Sequence, residues 1–190
     1  MAVIEEIRRI VPNEHPLLGK GILELTDIVS APYPGASVVP ASCRATFDRR
    51  TLVGEDERVI LGQVNEAIAR AKEKHPEIKA RCDLATGTEA CWTGDTISAK
   101  RYFPAWVVDE SSELVIKARR GLEKAGIDAP LSHFSFCTNG SHFCGEAGIA
   151  TIGYGPSLES LAHVRDEYIE IAQLTKACRG FASILAELTR

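Results

Sequence analysis

The stretch SHFSFCTNGSHFCGEAGIATIGYGPSLESLAHVRDEYIE, residues 132–170, decides the fold of the second half of this chain. Two short runs in it, residues 133–137 and 149–153, are rich in β-forming or apolar residues, and each leads into a turn containing glycine. This pattern predicts two buried strands of an α/β sheet. Their carboxyl ends would deliver the following loops to one edge of the sheet, where the active sites of such folds lie.

The loops after these runs contain the strongest candidates for a functional site. The backbone amides of residues 138–141 could cradle a substrate carboxylate, or the segment could be only a polar turn that leads into a helix. His163 follows a Gly-Pro loop, and carboxylates three and four residues later could orient its ring. A lone histidine in a loop is, however, more often a hydrogen-bonded surface residue. His142 and Glu146, four residues apart, predict a solvated pair on a helix.

The six cysteines, at positions 43, 82, 91, 137, 144 and 178, show no CxxC motif and no pairing rhythm. This usage predicts reduced thiols in a cytoplasmic protein, several of them small core residues. Cys137, His142 and Cys144 match no common closed zinc pattern. A cysteine nucleophile, Cys137 or Cys144, with His133 or His142 as its base is compatible with the composition, but nothing in the sequence brings such a pair together.

Composition places the chain among ordinary globular proteins. It has 190 residues, of which 45% are hydrophobic and 25% charged, and a formal net charge of -4. That length allows one domain or two small ones. Since no basic stripe is present, nucleic acid is not an expected partner. No apolar run approaches the roughly 20 residues that span a bilayer, so no membrane association is expected.

The first half of the chain predicts an α+β unit. Helical periodicity occurs in residues 2–10 and again after the acidic stretch at residues 54–57, and strand-like alternation occurs in residues 21–29, 38–48 and 78–85. The order helix, strand, strand, helix, strand predicts one sheet with its helices on one side. The turn-rich, aromatic residues 86–109 predict the passage to a second domain, with the division near residues 102–109 and domains at 1–101 and 102–190.

Two helices are predicted in the second half. The first covers residues 112–125 and ends at Gly126, and the second covers residues 171–188. The side chains of the terminal helix predicted to face inward are Ile171, Leu174, Cys178, Phe181, Ile184, Leu185 and Leu188.

Several of these stretches together resemble a known enzyme family. The C-terminal part of the chain is similar to the C-terminal end of the zinc-dependent aminoacylases and carboxypeptidases. The similarity lies in the run Gly153-Tyr154-Gly155-Pro156, in His163 followed by Asp166-Glu167, and in the apolar terminal helix. That family includes acetylornithine deacetylase, succinyl-diaminopimelate desuccinylase and glutamate carboxypeptidase. Upstream, SVVPASCRATFDRRTLVGED resembles its lid-domain strand, which ends in an Asp-x-Arg signature. Within the family, the segment FCTNGSHFCGEAGIATIGYGPS most resembles the branch of selenium-metabolism hydrolases.

The resemblance implies a fold and a set of site residues. The fold is an α+β lid, or dimerisation, sandwich at residues 1–101 followed by the C-terminal part of an α/β zinc-hydrolase catalytic domain. His163 corresponds to a metal-ligating histidine, Arg50 to the lid arginine that contacts the substrate carboxylate, and Thr138, Asn139 and Gly140 to the loop that lines the substrate pocket. No residue of this chain corresponds to a catalytic acid or base of the family.

The resemblance also implies cofactors and partners. Intact members of the family hold two zinc ions, or other divalent metals, and cleave an amide bond of a small-molecule substrate. They pair as homodimers through the lid. The N-terminal half with the remaining metal ligands has no counterpart here, so the expected protein is a cytoplasmic fragment, inactive and unable to hold zinc alone, whose N-terminal half could be on another chain. The alternatives are a non-catalytic dimerisation or binding module and a thiol-dependent enzyme.

Overall fold

The computed structural model describes residues 1–190 and divides into two units, Met1–Ala105 and Trp106–Arg190. The boundary between the units falls within the turn-rich stretch 86–109. The architecture is mixed α/β, built from helices and small antiparallel sheets. The interpretation of the two units as a lid and a catalytic part remains a prediction. No helix in the protein is both long enough and apolar enough to cross a membrane.

Two helices form the core of the first unit. Helix α1 (Ala2–Arg8) begins without a side-chain cap, whereas α2 (Glu57–Lys74) begins at Asp56, whose carboxylate accepts a hydrogen bond from the Val59 amide at 2.7 Å. The helix α2 ends at His75, just before a proline. The helices pack on each other. Their buried apolar residues are Ile4, Ile7, Ile60, Ala67, Ile68 and Ala71.

The strands of the first unit form three separate hairpins. Strands β1 (Glu14–His15) and β2 (Gly19–Lys20) make the shortest pair. Strand β3 (Ile22–Ala31) pairs antiparallel with β4 (Ser42–Arg50), with a bulge between Leu25 and Asp27. Strand β5 (Thr86–Ala90) pairs antiparallel with β6 (Thr96–Lys100). The prediction of one sheet covered on one face by helices is therefore wrong.

Two strand predictions in this unit need correction. The strand predicted from residue 38 begins at Ser42, beyond Pro40, which has no amide hydrogen for a ladder. Residues 78–85 alternate in polarity but form no strand. The Cys82 thiol bonds instead to Asn65 on α2 at 3.3 Å. The hairpin forms later, at β5–β6, because the Gly94 turn brings those two strands together locally.

The second unit is organised around a close crossing of two helices. Helix α3 (Glu113–Lys124) begins at Ser112 and is followed by Gly126, which adopts the left-handed conformation (φ 66°) typical of helix ends. Helix α4 (Ile171–Leu188) packs against it. A side chain at Gly121 would overlap the backbone of Ser183 and Ile184. The buried cluster around this crossing consists of Ala118, Leu122, Ile127 and Ile184.

The segment between α3 and α4 contains no strand. It forms a π-helical turn at Ser141–Glu146 and a 3₁₀ turn at Glu159–Leu161, so the predicted helical turns after Gly140 are confirmed. The strands predicted at residues 133–137 and 149–153 are absent, and with them the predicted parallel sheet edge. A strand requires a neighbour to accept its backbone hydrogen bonds, and residues 106–190 supply none.

The bounds predicted for α4 are confirmed, but the face predicted to be buried is largely wrong. Helix α3 contacts α4 at Ser183, Ile184 and Glu187, whereas Gly180 lies against the ring of Tyr154. Of the predicted inward residues, Ile184 is buried, whereas Ile171 is 81% exposed and Leu185 is 60% exposed. The contact is close because Gly121 of α3 has no side chain and lets the two helix backbones approach each other at Ser183 and Ile184.

Candidate functional site

Arg50 lies at the end of β4, beside another arginine with a different environment. Successive strand residues point to opposite faces, so the two guanidinium groups diverge. Arg49 donates to the Glu55 carboxylate at 2.7 Å, and its side chain is only 11% exposed. Arg50 contacts Asp48 at 3.1 Å, and its side chain is 46% exposed. The exposed Arg50 is therefore the one of the two that can reach an external carboxylate.

Glu55 fixes the end of this strand. Its carboxylate accepts hydrogen bonds from the Asn13 amide group at 2.8 Å, from Arg49 and from the Leu52 backbone amide at 2.9 Å. The second terminal nitrogen of Arg49 (Nη1) is buried without a partner. A shallow cleft beside this network is lined by Ile10, Pro12, Gly21, Ile22, Leu23, Arg49, Arg50 and Glu55. Because Arg49 is occupied with Glu55, it acts as a structural support for the strand end.

The predicted pocket loop is a tight turn closed by its own hydrogen bonds. The Gly140 amide donates to the Thr138 hydroxyl at 3.1 Å, and the Ser141 amide donates to the Thr138 carbonyl at 3.0 Å. Gly140 lies against the indole of Trp106, where a side chain would overlap the ring. The backbone amides of Gly140 and Ser141, which the sequence analysis considered as donors to a substrate carboxylate, therefore donate to Thr138 within the turn.

His163 is exposed and sits in an unusual backbone conformation. Its φ is 59°, in the left-handed region that non-glycine residues seldom adopt. The carboxylate of Glu167 accepts a hydrogen bond at 3.1 Å from the backbone amide of His163, not from its ring. The nearby carboxylate therefore holds the loop in this conformation. The sequence had suggested that it would orient the imidazole.

No group of three or more His, Cys, Asp or Glu side chains is arranged to hold a metal ion. Cys137, His142 and Cys144 do not form such a group. His142 instead pairs with Glu146 at 2.5 Å, and its side chain is 72% exposed. The predicted solvated pair is therefore confirmed. The residues of this chain do not by themselves fit a zinc ion, because His163 and the nearby Glu167 are not joined by a third ligand.

The structure distributes the predicted site residues over both units. Arg50 belongs to the first unit, and Thr138, Asn139, Gly140 and His163 belong to the second. Within the second unit, no hydrogen bond or ion pair joins His163 to residues 138–140. The segment before the turn is anchored elsewhere, since the Ser135 amide donates to the Glu159 carboxylate at 2.9 Å.

Two buried carboxylates, Glu6 and Glu187, were not predicted from the sequence. Glu6 forms ion pairs with Arg9, Arg70 and Lys74. Glu187, 2% exposed, forms ion pairs with Arg120, Lys124 and Arg190. The hydrogen bond from Lys74 lowers the pKa of Glu6, and the hydrogen bond from Lys124 lowers the pKa of Glu187, in each case against the opposing effect of burial.

The sequence contains a pattern that could have predicted the burial of Glu6 and Glu187. Each partner helix carries two cations four residues apart, Arg70 and Lys74 on α2 and Arg120 and Lys124 on α3. Like charges at that spacing repel each other on an isolated helix. An anion from another helix removes the repulsion. Such a pair beside an otherwise apolar face therefore indicates where a carboxylate is buried.

The family model for peptidase family M20/M25/M40 matches residues 14–187. The chain belongs to this family. The matched range includes Arg50, residues 138–140 and His163. Small antiparallel sheets with helices agree with a dimerisation-type domain of the M20 family.

Two curated relatives are versions of one bacterial protein. The chain is 29% identical over 170 residues to "Uncharacterized protein YgeY" of Escherichia coli strain K12, and equally to that of Escherichia coli O157:H7. The match covers 88% of this chain and 40% of each relative, so the chain spans about two fifths of their length. No solved structure gives a significant match.

Proposed function

We propose that this chain is part of a metal-dependent hydrolase that cleaves an amide bond of an N-acyl amino acid or a small peptide-like substrate. The observation that supports the proposal most strongly is the M20 family match, which extends over nearly the whole chain and all the candidate site residues. The expected cofactor is zinc, two ions in the complete enzyme, with other divalent metals as alternatives. The expected compartment is the cytoplasm.

In this proposal Arg50 binds the carboxylate of the substrate. Its exposed guanidinium can form a two-point contact with a carboxylate, and the adjacent Arg49–Glu55 pair holds the strand end on which it stands. The turn at Thr138, Asn139 and Gly140 lines the substrate pocket. Its internal hydrogen bonds fix its shape before substrate arrives.

His163 is proposed as one metal ligand. Since this chain does not assemble three ligands around it, the remaining ligands and the catalytic acid-base group would come from M20 sequence that this chain does not contain. We accordingly expect no hydrolysis of N-acyl amino acids by this chain alone. Chelator-sensitive turnover by the pure chain would contradict that expectation.

A chimera tests the proposed roles. The part of YgeY matched by this chain would be replaced with residues 14–187, and hydrolysis of a panel of N-acetyl amino acids and dipeptides would be measured. We expect chelator-sensitive turnover. Arg50→Ala should raise KM about 10- to 100-fold for substrates with a free carboxylate, since a charged hydrogen bond is worth about 1.5–3 kcal/mol. Amide-capped substrates should be affected little.

The matched control is Arg44→Ala, which removes an exposed arginine from the same strand. A His163→Ala chimera should lose bound metal, measured by elemental analysis, as well as activity. Equal kinetics for the Arg50 and Arg44 variants would refute the substrate-binding role of Arg50. Full metal content in the His163 variant would refute its role as a ligand.

A second candidate function, dimerisation, is favoured by the exposed β3–β4 hairpin. An isolated two-stranded hairpin is marginally stable, and both outer edges of this one lack a neighbouring strand. We propose that the first unit pairs with a second copy through it, giving the homodimer expected for a lid domain. Sedimentation equilibrium at rising protein concentration should show a dimer, and a monomer throughout would exclude this role.

A further inference from the structure

The loop that precedes α4, residues 157–167, contains three non-glycine residues in a backbone conformation that favours glycine. The φ angles are 79° at Ser157, 59° at His163 and 58° at Asp166, and no other non-glycine residue of the chain has a positive φ. In this left-handed region the Cβ atom crowds the backbone, so each such residue is unfavourable. Strain of this kind persists only where neighbouring groups hold it, and it concentrates at functional sites.

His163 occupies the third position of a turn made by residues 161–164. The residue before it, Ala162, has φ -75° and ψ 137°. These angles, followed by the positive φ of His163, match a type II turn, whose third position usually carries glycine. A histidine at this position therefore costs stability that a glycine would not.

The backbone amides of two of the three strained residues donate to side chains further along the chain. The Glu167 carboxylate accepts from the His163 amide at 3.1 Å, and the side-chain oxygen of Gln173 accepts from the Ser157 amide at 2.6 Å. Gln173 lies in the first turn of α4, so the start of the loop is anchored to a regular helix. In both pairs the hydrogen bond holds the backbone and does not use the side chain of the strained residue.

These hydrogen bonds leave the imidazole of His163 free. The residue is exposed, and its ring makes no hydrogen bond or ion pair within the chain. His142 also has a glutamate four residues later, but its ring pairs directly with Glu146. The same spacing therefore occupies the ring of His142, whereas at His163 it fixes the backbone and leaves the ring available.

We propose that Glu167 is a positioning residue that holds the turn at residues 161–164 in the conformation that keeps the His163 ring available to its ligand. Glu167 acts through the His163 backbone amide and does not itself bind the ligand. The inference rests on the proposed function, in which His163 binds a metal ion. It adds to that function a role for Glu167 and a reason for the left-handed backbone at His163.

Two variants that both lack the ring test whether residue 163 is held in the left-handed conformation. Glycine adopts a positive φ without steric cost, whereas alanine does not. The equilibrium constant for folding, measured by urea unfolding, should therefore be about fivefold higher for His163→Gly than for His163→Ala. Equal stability of the two variants would show that the turn does not hold this conformation and would overturn the proposal.

NMR spectroscopy of the full chain tests the role of Glu167. A residue with φ near 59° shows a strong nuclear Overhauser effect between its own amide and α protons, and His163 should show it. Glu167→Ala should lose this signal because the acceptor is gone, whereas Glu167→Gln should retain it through its side-chain oxygen. The matched control is Asp166→Asn, which removes an adjacent charge but not the acceptor of the His163 amide. Retention of the signal in Glu167→Ala, or its loss in Asp166→Asn, would contradict the assigned role.

The chimera with the E. coli relative measures the consequence for ligand binding. Zinc affinity is determined by competition with a chromophoric chelator, which requires no turnover. Glu167→Ala should weaken zinc binding about 10- to 100-fold, as is typical when a group that orients a metal ligand is removed, and Glu167→Gln should change it less than about threefold. Equal weakening by both variants would identify Glu167 as a ligand, and unchanged affinity in both would show that it has no role. Either result would overturn the proposal.

Failure of this inference is distinguishable from failure of the proposed function. Full metal content in the His163→Ala chimera refutes the ligand role of His163, whatever the turn does. Metal loss in that chimera, together with unchanged zinc affinity in Glu167→Ala, leaves the proposed function intact and refutes the positioning role of Glu167.

Discussion

At the scale of single residues, both units contain the same arrangement of charged side chains. A carboxylate is buried where two helices meet, and cations on the partner helix surround it: Glu6 between α1 and α2, and Glu187 between α4 and α3. A buried carboxylate without these partners would be strongly unfavourable. The ion pairs therefore specify which helix faces meet as well as contributing to stability.

The buried carboxylates predict a loss of stability in acid. The pKa of Glu187 in the folded protein lies below its ordinary value of 4.5, so the unfolded chain binds more protons between those two values. The contribution of Glu187 is therefore complete above about pH 4.5 and decreases as the pH falls toward the lowered pKa. Urea unfolding followed by circular dichroism from pH 7 to pH 3 measures this.

Glu187→Gln should lower the unfolding midpoint at pH 7 and flatten its dependence on pH below 4.5. The control is Glu123→Gln, an exposed residue on α3. If the Glu187 variant retained the acid dependence of the parent, the assignment of that dependence to this carboxylate would be wrong.

A pair of glycine substitutions tests the helix crossing. At Gly121 an added Cβ would lie 2.8 Å from the Ser183 carbonyl oxygen, so Gly121→Ala should destabilise the protein by about 1–3 kcal/mol. At Gly62, inside α2, an added Cβ meets nothing within 4 Å. Gly62→Ala should therefore stabilise by about 0.5–1 kcal/mol through helix propensity. Thermal unfolding of both variants measures these changes in stability. If both variants were stabilised, or both destabilised, the expected close crossing at Gly121 would be contradicted.

At the scale of elements, local capping hydrogen bonds set where α2 and α3 begin. Asp56→Ala removes the carboxylate that accepts from the Val59 amide, and should cost about 1 kcal/mol of stability, whereas Asp56→Ser keeps a capping oxygen and should cost little. Denaturant unfolding of the two variants makes the comparison. If Asp56→Ser lost as much stability as Asp56→Ala, the loss would not come from the capping hydrogen bond.

At the scale of the whole molecule, two units are joined by a short irregular segment, and we expect them to unfold separately. Asp56→Ala should move one calorimetric transition, and Gly121→Ala should move the other, since the two substitutions lie in different units. The parent should show two transitions or one broad transition that resolves into two in the variants. A single sharp transition moved by both would show that the units unfold together.

What the sequence determined by itself was the set of helices and the two longest strands. Helices α2, α3 and α4 were predicted closely because helical hydrogen bonds and apolar periodicity involve residues only three or four positions apart, and in α2 and α3 the capping residue is local as well. The strands β3 and β4 were predicted because their residues alternate in polarity, although β4 begins four residues later than expected. The motifs that resemble the aminoacylases and carboxypeptidases led to the same family that the comparison shows.

Only the tertiary structure decided which faces are buried and which extended runs become strands. Residues 133–137 and 149–153 have the composition of strands and are not strands here, because β-structure needs a distant partner that composition cannot supply. In α4 most of the larger apolar residues remain outside, while Ala177, Gly180, Ile184 and Glu187 are buried. A close helix crossing at Gly121 and the two α3 cations that pair with Glu187 select that face, and both depend on residues more than fifty positions away.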